Sequence, residues 1–128
     1  RKVFFKKALG LSTIITFGLI IGVFIAPFVT SLFGSTYERS SLILQLLLLS
    51  FIPASIAVPA VNFVIYALKK PQVITLLSAI QLPAVLFLNL FLIPKIGVFA
   101  PILVLACVNT STMVVSFLTS FIYLRREK

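Results

Sequence analysis

The 11 basic and 2 acidic residues of this chain are confined to its two ends and to three short breaks, Glu38–Arg39, Lys69–Lys70 and Lys95. Between them run four uncharged stretches: Ala8 to Tyr37, Ser40 to Leu68, Pro71 to Pro94 and Ile96 to Leu124. Each exceeds the about 20 apolar residues that a helix needs to cross the hydrocarbon core of a bilayer. An ordinary soluble domain has charges on about a quarter of its residues. Here charged residues are 10% and hydrophobic ones 61%. The pattern predicts an all-α integral membrane protein with four transmembrane helices, over about 8–31, 41–68, 71–93 and 100–124.

The net charge of +9 raises the possibility of nucleic acid. Its placement argues against that partner. Arg1, Lys2, Lys6 and Lys7 precede the first stretch, Lys69 and Lys70 separate the second and third, and Arg125, Arg126 and Lys128 end the chain. Four crossings put these groups on one side of the membrane and leave only Arg39 and Lys95 on the other. Short basic loops stay cytoplasmic, so both termini are expected inside. Clusters that flank apolar runs are explained by topology and by contact with anionic membrane lipid. A nucleic-acid surface would instead interleave its basic residues with polar and aromatic groups.

The chain begins with Arg1 rather than Met, so it is expected to start inside a longer frame or to have been processed. The first stretch is too long for the apolar region of a signal peptide, and no A-x-A-like cleavage site follows it. Cys107 lies in mid-span and reads as a small packing residue. No His occurs, and the only acids are Glu38 and Glu127. Hence no catalytic residue, metal ligand set or cofactor site is expected, and the chain does not read as an enzyme.

Within the spans, Gly18, Gly22 and Ala26 recur every four residues and form a ridge where another helix can approach closely. Pro27 lies near the outer end of the first span, where a kink costs least, and Pro53 and Pro59 fall within the second, each removing a helical hydrogen bond. Such gaps are tolerated when neighbouring helices or water satisfy the freed carbonyls. Gly34 is expected to end the first helix, with Ser35 or Thr36 capping the second. Ser55 and Asn62 share a face of the second helix, close to Pro59. In the third helix Thr75, Ser78 and Asn89 share a face with Gln81 on its edge, and Pro83 lies among them. In the fourth, Asn109, Thr112, Ser116 and Thr119 or Ser120 make a polar stripe. These residues have two readings. They bond across helices and hold a bundle together, or they line a water-filled path for a polar cargo.

The segment "NLFLIPKIGVFAPILVLACVNT" places Lys95 at the tip of a tight turn, with Pro94 ending one helix, Gly97 supplying a permissive backbone and Pro101 pre-setting the next helix. It also resembles the late Asn-x-x-x-Ile-Pro-x-x-Gly-x-x-small segment of polysaccharide-type flippases, in the multidrug/oligosaccharidyl-lipid/polysaccharide exporter superfamily. Asn89, Pro94 and Gly97 are its most specific positions. "LFGSTYERSSLILQLLLLSFIPASIAVPAVNFVIYALKKPQVITL" resembles the preceding hairpin of the same family. Ala100 departs from the family's second glycine, and Pro101 stands where a small residue is usual.

The resemblance implies the last four helices of a twelve- or fourteen-helix transporter, part of its C-terminal lobe, in the cytoplasmic membrane. The implied cargo is a lipid-linked oligosaccharide, moved by alternating access together with the remaining helices of the same transporter. No ionisable residue lies deep in any span, so ion coupling and pyrophosphate binding would fall to those other helices. Two alternatives stay open: a drug or cation exporter of the same superfamily, and a stand-alone four-helix membrane subunit that transports nothing.

Overall fold

The computed structural model describes residues 2–126. It contains α1 (Lys2–Ser31), a 3-10 turn (Ser35–Tyr37), α2 (Glu38–Asn62), a π-helical continuation of α2 (Phe63–Ala67), α3 (Pro71–Ile96) and α4 (Phe99–Arg126). All four helices are long and apolar enough to cross a membrane. The chain is an all-helical, multi-pass membrane protein.

Packing runs in the order α1–α2–α4–α3. α2 is central, with α1 on one side and α4 on the other, while α3 packs mainly on α4. Most buried positions carry small side chains, among them Ala26, Ala57, Ala60, Ala100, Ser12, Ser50, Ser55, Ser116 and Ser120. The reason is physical. Lipid tails are as apolar as leucine, so hydrophobicity does not drive helices together in a bilayer. Small side chains let backbones approach and gain dispersion contact and hydrogen bonds instead. Large apolar residues accordingly face outward, as Phe17, Phe24, Phe28, Phe87 and Leu90 do. α3 has no buried residue at all.

Several helix limits differ from those expected. α1 begins at Lys2 rather than near Ala8, because helical structure continues past the hydrocarbon into the headgroup zone, and α4 likewise reaches Arg126. At about 1.5 Å per residue, a helix of this length matches the full bilayer with its interfaces rather than the hydrocarbon alone. Pro94 does not end α3. The backbone N–H of Gly97 donates to the Ile93 carbonyl at 2.9 Å, so the ladder resumes beyond the proline. Termination comes at Gly97, whose φ of 62° suits a residue without Cβ. Lys95 therefore lies in the last turn of α3, not at the tip of the loop, with its ammonium 4.8 Å from the centre of the Phe91 ring.

Gly34 has φ 103° and follows α1 closely. Neither Ser35 nor Thr36 caps α2, since both lie in the 3-10 turn and Tyr37 occupies the cap position without a side-chain bond. Glu38 in the first turn of α2 suits the positive end of the helix dipole. The other end of α2 widens into a π-helix. There the Leu68 N–H reaches the Phe63 carbonyl at 3.0 Å, and Lys69, with φ 53°, turns the chain toward α3. Pro71 takes the first turn of α3, where its missing N–H costs nothing.

Of the expected small-residue ridge, Ala26 is buried, and a Cβ at Gly22 would meet the Leu48 side chain at 3.4 Å. Gly18 is exposed and has open space around it. The ridge therefore serves α2 only in its C-terminal part, at Gly22 and Ala26. α1 presents Gly18 away from its neighbour.

Candidate functional site

The polar side chains inside the spans are the candidate functional groups, and the prolines decide where many of them go. Pro27 has no N–H to offer the carbonyl four residues earlier, that of Val23. The Gln45 amide of α2 donates to that carbonyl at 3.0 Å. Pro59 in the same way frees the carbonyl of Ser55, and the Ser12 hydroxyl of α1 donates to it. Thr16 joins this contact, its hydroxyl 2.8 Å from that of Ser55. One carbonyl away from Pro53's own gap at Leu49, the Asn109 amide of α4 donates to the Ser50 carbonyl at 2.8 Å. The Ser120 hydroxyl reaches the Ala60 carbonyl at 3.5 Å, just before the helix widens.

A second cluster joins α3 to α4. The Gln81 amide donates to Ser111 Oγ at 2.7 Å and to Thr112 Oγ1 at 3.0 Å, with the Val108 carbonyl at 3.3 Å. It is a polar clasp on an otherwise apolar contact. Every group in both clusters is neutral, so the clusters can orient helices and accept or donate hydrogen bonds. They hold no group that exchanges a proton near neutral pH.

The stripe on α4 thus divides among its neighbours. Asn109 and Ser120 turn to α2, Thr112 turns to α3, and Ser116 is fully buried with its hydroxyl unpaired. On α3 the expected common face does not hold together. Gln81 and Asn89 lie on the half-buried side, whereas Thr75 and Ser78 are exposed. The reason is helical register: the half-buried residues Val73, Leu77, Gln81, Val85 and Asn89 step by four, and Thr75 and Ser78 fall off that line. Thr75 bonds only back to the Pro71 carbonyl, at 3.1 Å. The Asn89 side-chain oxygen is buried without a partner. Asn62 is half-buried at the end of α2, and Pro94 and Gly97 stay at the α3 terminus.

Sequence reasoning about the proline gaps did not single out Ser12, Thr16 and Gln45. The signal was present, because a Gln in the leucine-rich run "LILQLLLL" needs a partner at membrane depth. What was missing is which carbonyl faces it.

At the membrane surfaces, Lys2, Lys6, Lys7, Lys69, Lys70, Arg125 and Arg126 are exposed at one end of the helices, with Arg39 and Lys95 at the other. Lys70 donates to the Tyr123 hydroxyl and ties the α2–α3 turn to the end of α4. Among the described residues, no cluster of His, Cys, Asp and Glu could hold a metal ion. No protein-family model, curated protein or solved structure matches the chain.

Proposed function

We propose that these helices form the last part of the C-terminal lobe of a flippase that carries lipid-linked oligosaccharide across the cytoplasmic membrane, with both ends of the chain on the cytoplasmic side. The observation that carries this reading is the segment from Asn89 to Ala100, whose resemblance to polysaccharide-type flippases spans the end of α3, the Gly97 turn and the start of α4. Two features support it. α3 has no buried residue and the row is open beyond it, as suits helices that belong to a larger lobe. The bonds from Gln45, Ser12 and Asn109 to backbone carbonyls bind α1, α2 and α4 into one unit, as suits a lobe that rocks as a rigid body.

In this reading the protein makes and breaks no covalent bond. A polar headgroup crosses apolar lipid because the lobes open alternately to the two sides. The polar groups free to meet cargo are those that no other helix engages, chiefly Thr75 and Ser78 on the open side of α3. Basic cargo contacts and any coupling acid belong to the remaining helices.

The test uses the full-length transporter in cells whose glycan export depends on it. Thr75→Trp and Ser78→Trp are expected to cut export severalfold with protein abundance unchanged. Undiminished export in both variants would sink the cargo path, and with it the flippase assignment of α3. The orientation has its own test, in a background where Cys107 and every other cysteine of the full-length transporter are replaced by Ala. A membrane-impermeant thiol reagent should label Lys95→Cys in intact cells and leave Lys69→Cys unlabelled; the opposite pattern would invert the topology.

A further inference from the structure

The ends of α1 and α4 enclose a cleft of about 570 Å³ lined by Lys2, Phe5, Lys6, Phe121, Leu124 and Arg125. Its construction follows from helical spacing. Lys2 and Lys6 are four residues apart and stand on one face of α1, and Phe121 and Arg125 do the same on α4. The floor is a chain of aromatic contacts. The Phe5 ring meets Phe63 edge-on at 5.4 Å and Phe117 at 6.3 Å, and Phe117 lies 6.3 Å from Phe121. Phe63 is fully buried, so this floor continues the packed interior.

Three cations therefore converge on an apolar notch, and among the described residues no acid lines it. Like charges held together at a membrane surface repel one another unless an anion sits between them. The notch is amphipathic in the manner of a lipid, with basic groups at the rim and rings below. We propose that it is a binding site for one anionic phospholipid, its phosphate held by Lys2, Lys6 and Arg125 and the upper part of its acyl chains against Phe5, Phe121 and Leu124. Basic pockets between transmembrane helices commonly hold anionic headgroups. Charge complementarity and the apolar floor together select a lipid over a free anion, which would leave the aromatic surface bare. The site stands independently of the transport reading and of which side of the membrane the two ends face.

These residues contain no Trp, so with any Trp elsewhere in the protein replaced by Phe, Phe121→Trp places a single fluorophore in the notch. The protein is reconstituted into vesicles of equimolar phosphatidylglycerol and phosphatidylcholine, with bromine on the acyl chains of one lipid or of the other. Brominated phosphatidylglycerol is expected to quench this Trp about threefold more than brominated phosphatidylcholine, a bias set by the attraction of basic side chains for anionic lipid. A Trp in place of Leu90, exposed on α3 far from the cleft, should be quenched equally by both. Adding Lys2→Gln, Lys6→Gln and Arg125→Gln to the Phe121→Trp protein should abolish the bias, and adding Lys7→Gln and Lys69→Gln, which do not line the cleft, should leave it. Equal quenching of Phe121→Trp by the two lipids would overturn the site. So would a bias that survives the three Gln substitutions, or one that the Lys7 and Lys69 changes remove, since the attraction would then be diffuse.

Discussion

Ser116→Phe is expected to lower the stability of the helical assembly by about 1–3 kcal/mol or to prevent the α2–α4 contact from forming, because overpacking a tight interface costs that much. Ser116 is fully buried on α4, among positions that are small because the backbones are close. A phenyl ring has nowhere to go there except between the helices. Ser116→Ala should behave in the opposite way. The Ser116 hydroxyl is buried without a partner, and removing an unpaired polar group from an apolar interface is neutral or favourable. Unfolding titrations in mixed micelles, with helicity as the signal, distinguish the two. If the alanine variant lost as much stability as the phenylalanine one, the hydroxyl would have to hold a bond in the membrane, and Ser116 would belong with the bonding residues of α4.

The second large effect is a coupling rather than a loss. Gln45→Leu should destabilise the native protein by about 1 kcal/mol, within the span measured for hydrogen bonds between membrane helices. The cause is specific: the Val23 carbonyl that accepts Gln45 lacks an intrahelical donor, since Pro27 stands four residues on. In a Pro27→Ala background the restored backbone N–H can take that carbonyl, and Gln45→Leu should then cost close to nothing. A double-mutant cycle isolates this term, and neighbouring residues that share a partner are where additivity fails. Equal costs of Gln45→Leu in both backgrounds would show that Gln45 acts through packing and not through the carbonyl that Pro27 frees.

The same logic explains why prolines are abundant where a soluble helix would exclude them. Pro27, Pro53 and Pro59 all lie inside helices that continue past them. Each opens a carbonyl, and at Pro27 and Pro59 a side chain of the facing helix closes the gap. Gaps and donors together give α1 and α2 a directional contact that dispersion between small residues alone would not provide. α3 is the exception, for Gln81 is its main polar link to α4. An element held by one clasp and otherwise exposed is the one most dependent on what surrounds it.

Helix number and approximate position were legible in the sequence, because uncharged runs of spanning length leave the backbone no other way to satisfy its hydrogen bonds in lipid. The helix ends were less so. Lys2, Lys6 and Lys7 looked like a flank and are helical, since the interface tolerates charge on a continuing helix. Pro94 looked like a stop and is not, because one missing N–H near a terminus interrupts little. Gly97 did mark the turn, its backbone freedom being local chemistry.

The polar stripes were legible as residues but not as partners. Thr75, Ser78 and Asn89 share a helical face by spacing, yet only the neighbour's position determines which part of that arc is covered, and α4 covers the side of Gln81 and Asn89. The amino-acid sequence by itself determined four membrane-spanning helices in this stretch, its charge asymmetry and the carbonyls its prolines leave open, since these follow from local covalent geometry and from solvation. The tertiary structure alone decided the order α1–α2–α4–α3, the donor for each open carbonyl and the basic cleft between the two chain ends. Those depend on which helices meet, and in a bilayer that choice rests on close shape and paired polar groups spread across distant parts of the chain.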